Sequence, residues 1–125
     1  MSTNGLIHVV DEHGILLCTI NKHCDGDPDG LGELIRDILN EGDVRIVQGF
    51  GWDDRVPEAF NGMGCLAAYL ISELKEDIGD IYMERPNIKS RGDYTYILKQ
   101  DGKDVHITSF DGDEELYDGL LEKFV

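Results

Sequence analysis

The chain is predicted to fold as one α+β domain with a mainly antiparallel sheet of about five strands and two to three helices. Three observations carry that prediction. Short apolar segments come in pairs joined by tight-turn residues, which is how hairpins read in sequence. Two longer segments place apolar residues three and four apart, the spacing of a helix buried along one face. Strands and helices do not alternate one for one, so a doubly wound parallel sheet is not expected. No period repeats and no linker composition divides the 125 residues, so 1–125 is read as a single domain.

The elements follow in order. Residues 6–10 and 15–20 are apolar and flank Asp11-Glu12-His13-Gly14, a loop whose glycine suits a hairpin. A glycine-rich segment follows, and then Leu31, Leu34, Ile35, Ile38 and Leu39 trace one helical face, with Gly42 placed to end it. Residues 44–47 read as a short strand, and 49–64, with Trp52, Pro57 and Phe60, as a structured loop. A second helix is expected from near Gly64, burying Leu66, Ala67, Leu70, Ile71 and Leu74. Residues 81–84, 94–100 and 105–110 read as strands, the last two joined at Asp101-Gly102. Asp111 three residues before Glu114 resembles a capping box, so a closing helix burying Leu116, Leu120, Leu121 and Phe124 is expected.

Charge bounds the partners. With 26 acidic against 11 basic residues the formal net charge is −15. Phosphate backbones and anionic lipid surfaces are gripped by clustered Lys and Arg, so neither direct nucleic-acid binding nor membrane docking is expected. An acidic surface favours solubility or attraction to a basic protein surface. Cys18, Cys24 and Cys65 have no CxxC spacing and leave one thiol over in any pairing, which reads as a reduced chain. No apolar run approaches the ~20 residues of a membrane span and no signal-peptide pattern opens the chain, so a soluble, cytoplasmic protein is expected.

The segment from His23 to Gly32 holds three carboxylates, three glycines, a proline, a histidine and a thiol. Asp25, Asp27, Asp29 and Gly30 match the opening of a calcium loop, in which alternate carboxylates converge on a hard cation. The twelfth position of that loop, however, is Arg36 instead of a bidentate Glu. Ca²⁺ or Mg²⁺ at these three aspartates is therefore one reading, with no cofactor as the other.

The same glycines permit an anion site, because a glycine-rich turn feeding a helix leaves backbone N–H groups facing outwards. Asn61-Gly62-Met63-Gly64 before the second helix is a similar arrangement. Two such starts facing one cleft would bind a phosphate-bearing ligand such as a nucleotide. His23, Asp25, Gly26, Gly30, Gly32, Asn61 and Gly64 are the candidate ligand residues, and His23 changes charge near neutral pH. Glycines also serve tight turns and close packing, and neither stretch is a P-loop or a dinucleotide fingerprint.

Other chemistry is thinner. His23 and Cys24 are adjacent in extended chain and point apart, so they are poor partners for each other. His8 and His106 fall within strands and read as sheet residues. Cys18 and Cys65 read as small buried hydrophobes. Arg91-Gly92-Asp93 matches an adhesion tripeptide by coincidence of spelling. Trp52 with Asp53 and Asp54 reads either as an exposed recognition element or as a plug beneath its loop.

His23-x-Asp25-Gly26-x-Pro28-x-Gly30-x-Gly32 resembles a segment of small, poorly characterised phage and bacterial proteins, where it also follows a strand and opens a helix. Gly62-x-Gly64 before Leu66-Ala67-Ala68 resembles a later part of that pattern. The position of Asp27 is commonly aromatic there and that of Asp29 varies, which makes the calcium-like spacing an accident of this chain. The resemblance implies an accessory or counter-defence role against host factors. No set of nucleophile, base and electrophile stands out, so the expected function is a non-catalytic acidic binding protein acting on a basic, nucleic-acid-binding host protein. The rivals are a binder of nucleotide or other phosphate ligands and a metal-dependent phosphoesterase using His23, Asp25, Asp27 and Asp29.

Overall fold

Among the described residues (2–40, 46–47 and 60–124) of the computed structural model, six strands form one sheet. They are β1 (Gly5–Val10), β2 (Leu16–Lys22), β5 (Ile81–Glu84), β6 (Tyr94–Asp101), β7 (Asp104–Asp111) and β8 (Glu114–Leu120). Their order is β5-β2-β1-β6-β7-β8, antiparallel except where β1 and β6 run parallel. A separate two-residue parallel pair joins β3 (Ile46–Val47) to β4 (Phe60–Asn61). Two α-helices, α1 (Glu33–Leu39) and α2 (Gly62–Leu74), complete the α+β architecture.

Alternation along the strands decides what each face buries. Ile7, Val9, Ile20, Tyr96, Leu98 and Ile107 point to one side and pack against Leu31, Ile35 and Leu39 and against Met63, Leu66, Leu70 and Leu74. The predicted stripe of α2 is therefore the buried one, with Ile71 at its margin, although the helix starts at Gly62. In α1 the stripe loses one member, because Leu34 stays 42% exposed. Gly42, Val44 and the segment containing Trp52 and Pro57 lie outside the described residues.

One element differs from expectation. Residues 114–120 form β8, and only Leu121–Lys123 makes a short helical turn. Gly112, at φ +59°, opens a two-residue turn that pairs Asp111 with Glu114, so the apparent capping box is a hairpin. The confusion has a geometric cause. Residues four apart share a face in a helix and also in a strand, so the spacing of Leu116 and Leu120 suits both. The extra strand raises the main sheet from about five to six.

The second face of the sheet is covered by the connection between β5 and β6, residues 85–93. Arg91 lies over the Phe110 ring at 4.9 Å and the Gly92 amide donates to Thr95 Oγ1 at 3.1 Å. Beneath this strap His8 is fully buried, with Nε2 2.9 Å from the Ser90 carbonyl and Nδ1 2.9 Å from Thr19 Oγ1. The carbonyl only accepts, so Nε2 carries the proton of a neutral ring. Burial lowers the His8 pKa, with the nearby Arg91 charge adding to it against the opposing Ser90 hydrogen bond. A histidine depressed in the folded state supports stability fully above its unfolded value and loses that support as pH falls towards its folded one. Stability of the wild type is therefore expected to decline from neutral pH to mildly acid pH. His8→Gln should show a shallower decline over the same window in urea unfolding, and an identical slope would remove His8 as the cause.

Candidate functional site

Where β2 leaves the sheet, the chain is clamped by a loop more than fifty residues away. Lys22 is buried, and its Nζ donates to the Asp80 carboxylate. The His23 amide donates to the Asp80 carbonyl at 2.8 Å, and the Cys24 amide to Asp80 Oδ1 at 3.2 Å. The Lys22 hydrogen bond, above all, holds the Asp80 carboxyl below its usual range. Asp80 adopts a left-handed backbone at φ +63°, as does Asp25 at +57°, the non-glycine residues that do so among those described. His23 stays exposed and rests against the Tyr82 ring at 5.0 Å.

The glycine-rich segment folds back on itself. Gly30 and Gly32 donate their amides to the Asp27 carbonyl, and Leu31 donates to that of Asp25. The Glu33 amide turns back to the carbonyls of Pro28 and Gly30. These amides, which sequence reasoning offers to an anion, are thus spent inside a wide turn running Pro28–Gly32 into α1. Gly26 lies flat on the backbone of β1: a Cβ there would sit 2.3 Å from the Asn4 carbonyl carbon and the Gly5 nitrogen. Its amide donates to Thr3 O at 2.9 Å and its carbonyl accepts from the buried Tyr96 hydroxyl at 2.8 Å. At Gly30 a Cβ would meet the Asp25 carbonyl oxygen at 2.3 Å. Both glycines permit close approach by the protein's own chain.

What the segment presents outward is charge. Asp25, Asp27, Asp29, Glu33 and Asp37 line a groove of about 520 Å³ together with Lys22 and Leu34. Lys22 and Leu34 also border a second groove of about 200 Å³, lined by Glu73, Glu76, Asp77, Ile78 and Asp80. The shared lysine is the cation lining these grooves, and it is already paired with Asp80. Arg36 lies nearby and ties Glu33 at 3.4 Å and Asp37 at 3.2 Å. Leu34 stands exposed between the grooves and Ile78, 98% exposed, tips the second. The field extends along the end of the sheet: Asp111 raises the Tyr94 pKa, helped by desolvation and by Asp27, Asp93 and Asp29.

The predicted site residues are thus divided. Asp25, Asp27, Asp29 and Gly30 share the larger groove, and Gly26 and Gly32 lie buried beneath it. His23 leans towards Tyr82 on β5. Asn61 and Gly64 belong to the other end of α2, a helix of 13 residues and so about 20 Å long. There β4 pairs with β3, whose Ile46 amide donates to Lys103 in the β6–β7 turn. The C-terminal end of α2, with Glu73 and Leu74, borders the second groove instead. Among the described residues no groove is lined by both glycine-rich starts. Among the described residues no three His, Cys, Asp or Glu side chains are grouped to hold a metal ion. Cys18 is half-buried against the core, whereas Cys65 is exposed, contrary to expectation.

Sequence reasoning missed Asp80, Leu34 and the acids of 73–77 as members of this surface. The acidic run 73–80 is visible in the sequence, but nothing in it points to Lys22. No family model, curated protein or solved structure matches the chain.

Proposed function

We propose that the protein is a non-catalytic binding protein whose acidic end docks on a basic protein surface of the kind that otherwise holds nucleic acid. One observation carries this reading: two adjoining grooves lined by nine carboxylates share one lysine, itself neutralised, and flank exposed Leu34 and Ile78. An apolar anchor with a charged rim is the anatomy of a specific interface, and complementary charge steers the encounter. The resemblance of 23–32 to phage proteins supports an accessory role against a host factor.

The side chains of Asp27, Asp29, Glu73 and Glu76 make no hydrogen bond or ion pair among the described residues, so neutralising them leaves the fold intact. The fourfold variant Asp27→Asn, Asp29→Asn, Glu73→Gln, Glu76→Gln is expected to bind a basic host partner roughly thirtyfold more weakly or worse, with its melting temperature preserved. Equal binding by the variant would refute the reading. A rise in melting temperature with Ca²⁺ or Mg²⁺, abolished by Asp25→Ala and accompanied by phosphodiester turnover, would instead assign the three aspartates to a metal.

A further inference from the structure

The opposite face of the sheet carries a groove of quite different character. It has a volume of about 520 Å³ and lies between β2, β5 and the strap. Its floor is a relay of side chains: Asn4 Nδ2 donates to Asn21 Oδ1 at 3.4 Å, and Asn21 Nδ2 donates to Glu84 Oε1 at 2.9 Å. Each amide nitrogen bears two hydrogens and spends one in this relay. Asn87 uses its Oδ1 to accept from the Lys89 amide, which leaves its Nδ2 to the groove. Arg85 makes no hydrogen bond or ion pair among the described residues. Arg91 is fixed by donating Nη1 to the Ile88 and Ser90 carbonyls and by its stack on Phe110.

The groove therefore offers many donors and one carboxylate acceptor. Two guanidiniums border it in a chain with only 11 basic residues. Pro86 and Leu6 supply apolar walls. A pocket in the range of ~300–1,000 Å³ with a few convergent polar groups suits a small molecule. Arginine prefers oxyanions that accept in its plane, and amide edges read heterocycle edges.

We propose that this groove binds a small molecule that joins a phosphate to a flat hydrogen-bonding body, the chemistry of a nucleoside monophosphate. Arg85 and Arg91 take the phosphate, the asparagine amides meet acceptors of the body, and Glu84 accepts from one donor. The site is independent of the acidic end, which faces the other side of the sheet.

The test is calorimetric and NMR titration of the full chain with AMP, GMP, CMP, UMP and inorganic phosphate. At least one nucleotide is expected to saturate, shifting the side-chain signals of Asn21, Asn87 and Arg85, and to bind about tenfold or more tightly than inorganic phosphate. Arg85→Ala is expected to weaken it by about tenfold or more, since one charge-assisted contact is lost from an exposed residue that the fold does not use. Asn87→Asp should weaken it as well, whereas Lys103→Ala, in the far turn, should leave it unchanged. Absence of binding by all four nucleotides at millimolar concentration, equal affinity for inorganic phosphate, or undiminished binding by Arg85→Ala would each overturn the proposal.

Discussion

Gly26→Ala is expected to lower the unfolding free energy by about 3 kcal/mol or more, and the melting temperature by roughly 10 °C or more. The added methyl would lie 2.3 Å from main-chain atoms of Asn4 and Gly5, which are not the ends of flexible side chains and cannot step aside. Relief would require Gly26 to lift from β1, breaking its hydrogen bonds to Thr3 and Tyr96. Gly64→Ala is the matched control. Among the described residues nothing lies within 4 Å of a Cβ there, in the first turn of α2, so the change should be neutral or stabilising by up to ~1 kcal/mol. Urea unfolding of the two variants checks both statements, and a Gly26→Ala protein as stable as wild type would refute the packing.

Asp80→Asn is expected to cost about 2 kcal/mol. The side chain of Lys22 is only 11% exposed, so removing its partner leaves a nearly buried charge uncompensated. Asp80 itself is 44% exposed, and water reaching it screens the pair, which keeps the cost below that of a fully buried one. Asparagine tolerates the left-handed backbone, so the substitution isolates charge from conformation. The linkage has a definite sign. A carboxyl depressed in the folded state supports stability above its unfolded value of 3.8 and loses that support as pH falls through the lower, folded value. Wild type should therefore lose stability relative to Asp80→Asn below about pH 4, which chemical unfolding at stepped pH measures. A constant difference between the two proteins down to strongly acid pH would contradict the pairing.

Local chemistry made most of the fold legible. Gly14, Gly102 and the apolar alternation around them define hairpins without help from distant residues, and α2 carries its buried stripe in its own spacing. The miss at β8 came from a period of four, which a strand satisfies as well as a helix. The parallel pairing of β1 with β6 joins segments nearly ninety residues apart and leaves no local mark. The glycines at 26 and 30 read in sequence either as ligand contacts or as tight turns and close packing, and the atoms nearest to them are the protein's own backbone. A missing Cβ, however, serves a ligand and the protein's own backbone equally, so sequence could not say which. The surfaces were the least legible, since Lys22 meets Asp80, and Asn21 meets Glu84, only through the sheet.

Docking through the acidic end must weaken with salt, because the attraction acts over a screening length of ~8 Å at physiological ionic strength. The direct measurement is the association rate and affinity for a basic, nucleic-acid-binding host protein across rising salt, with its nucleic acid added as competitor. Affinity is expected to fall about tenfold or more from low to above-physiological salt, mainly through slower association, with the nucleic acid displaced when this protein binds. Affinity indifferent to salt, or simultaneous binding of the nucleic acid and this protein, would contradict the acidic end as the docking surface.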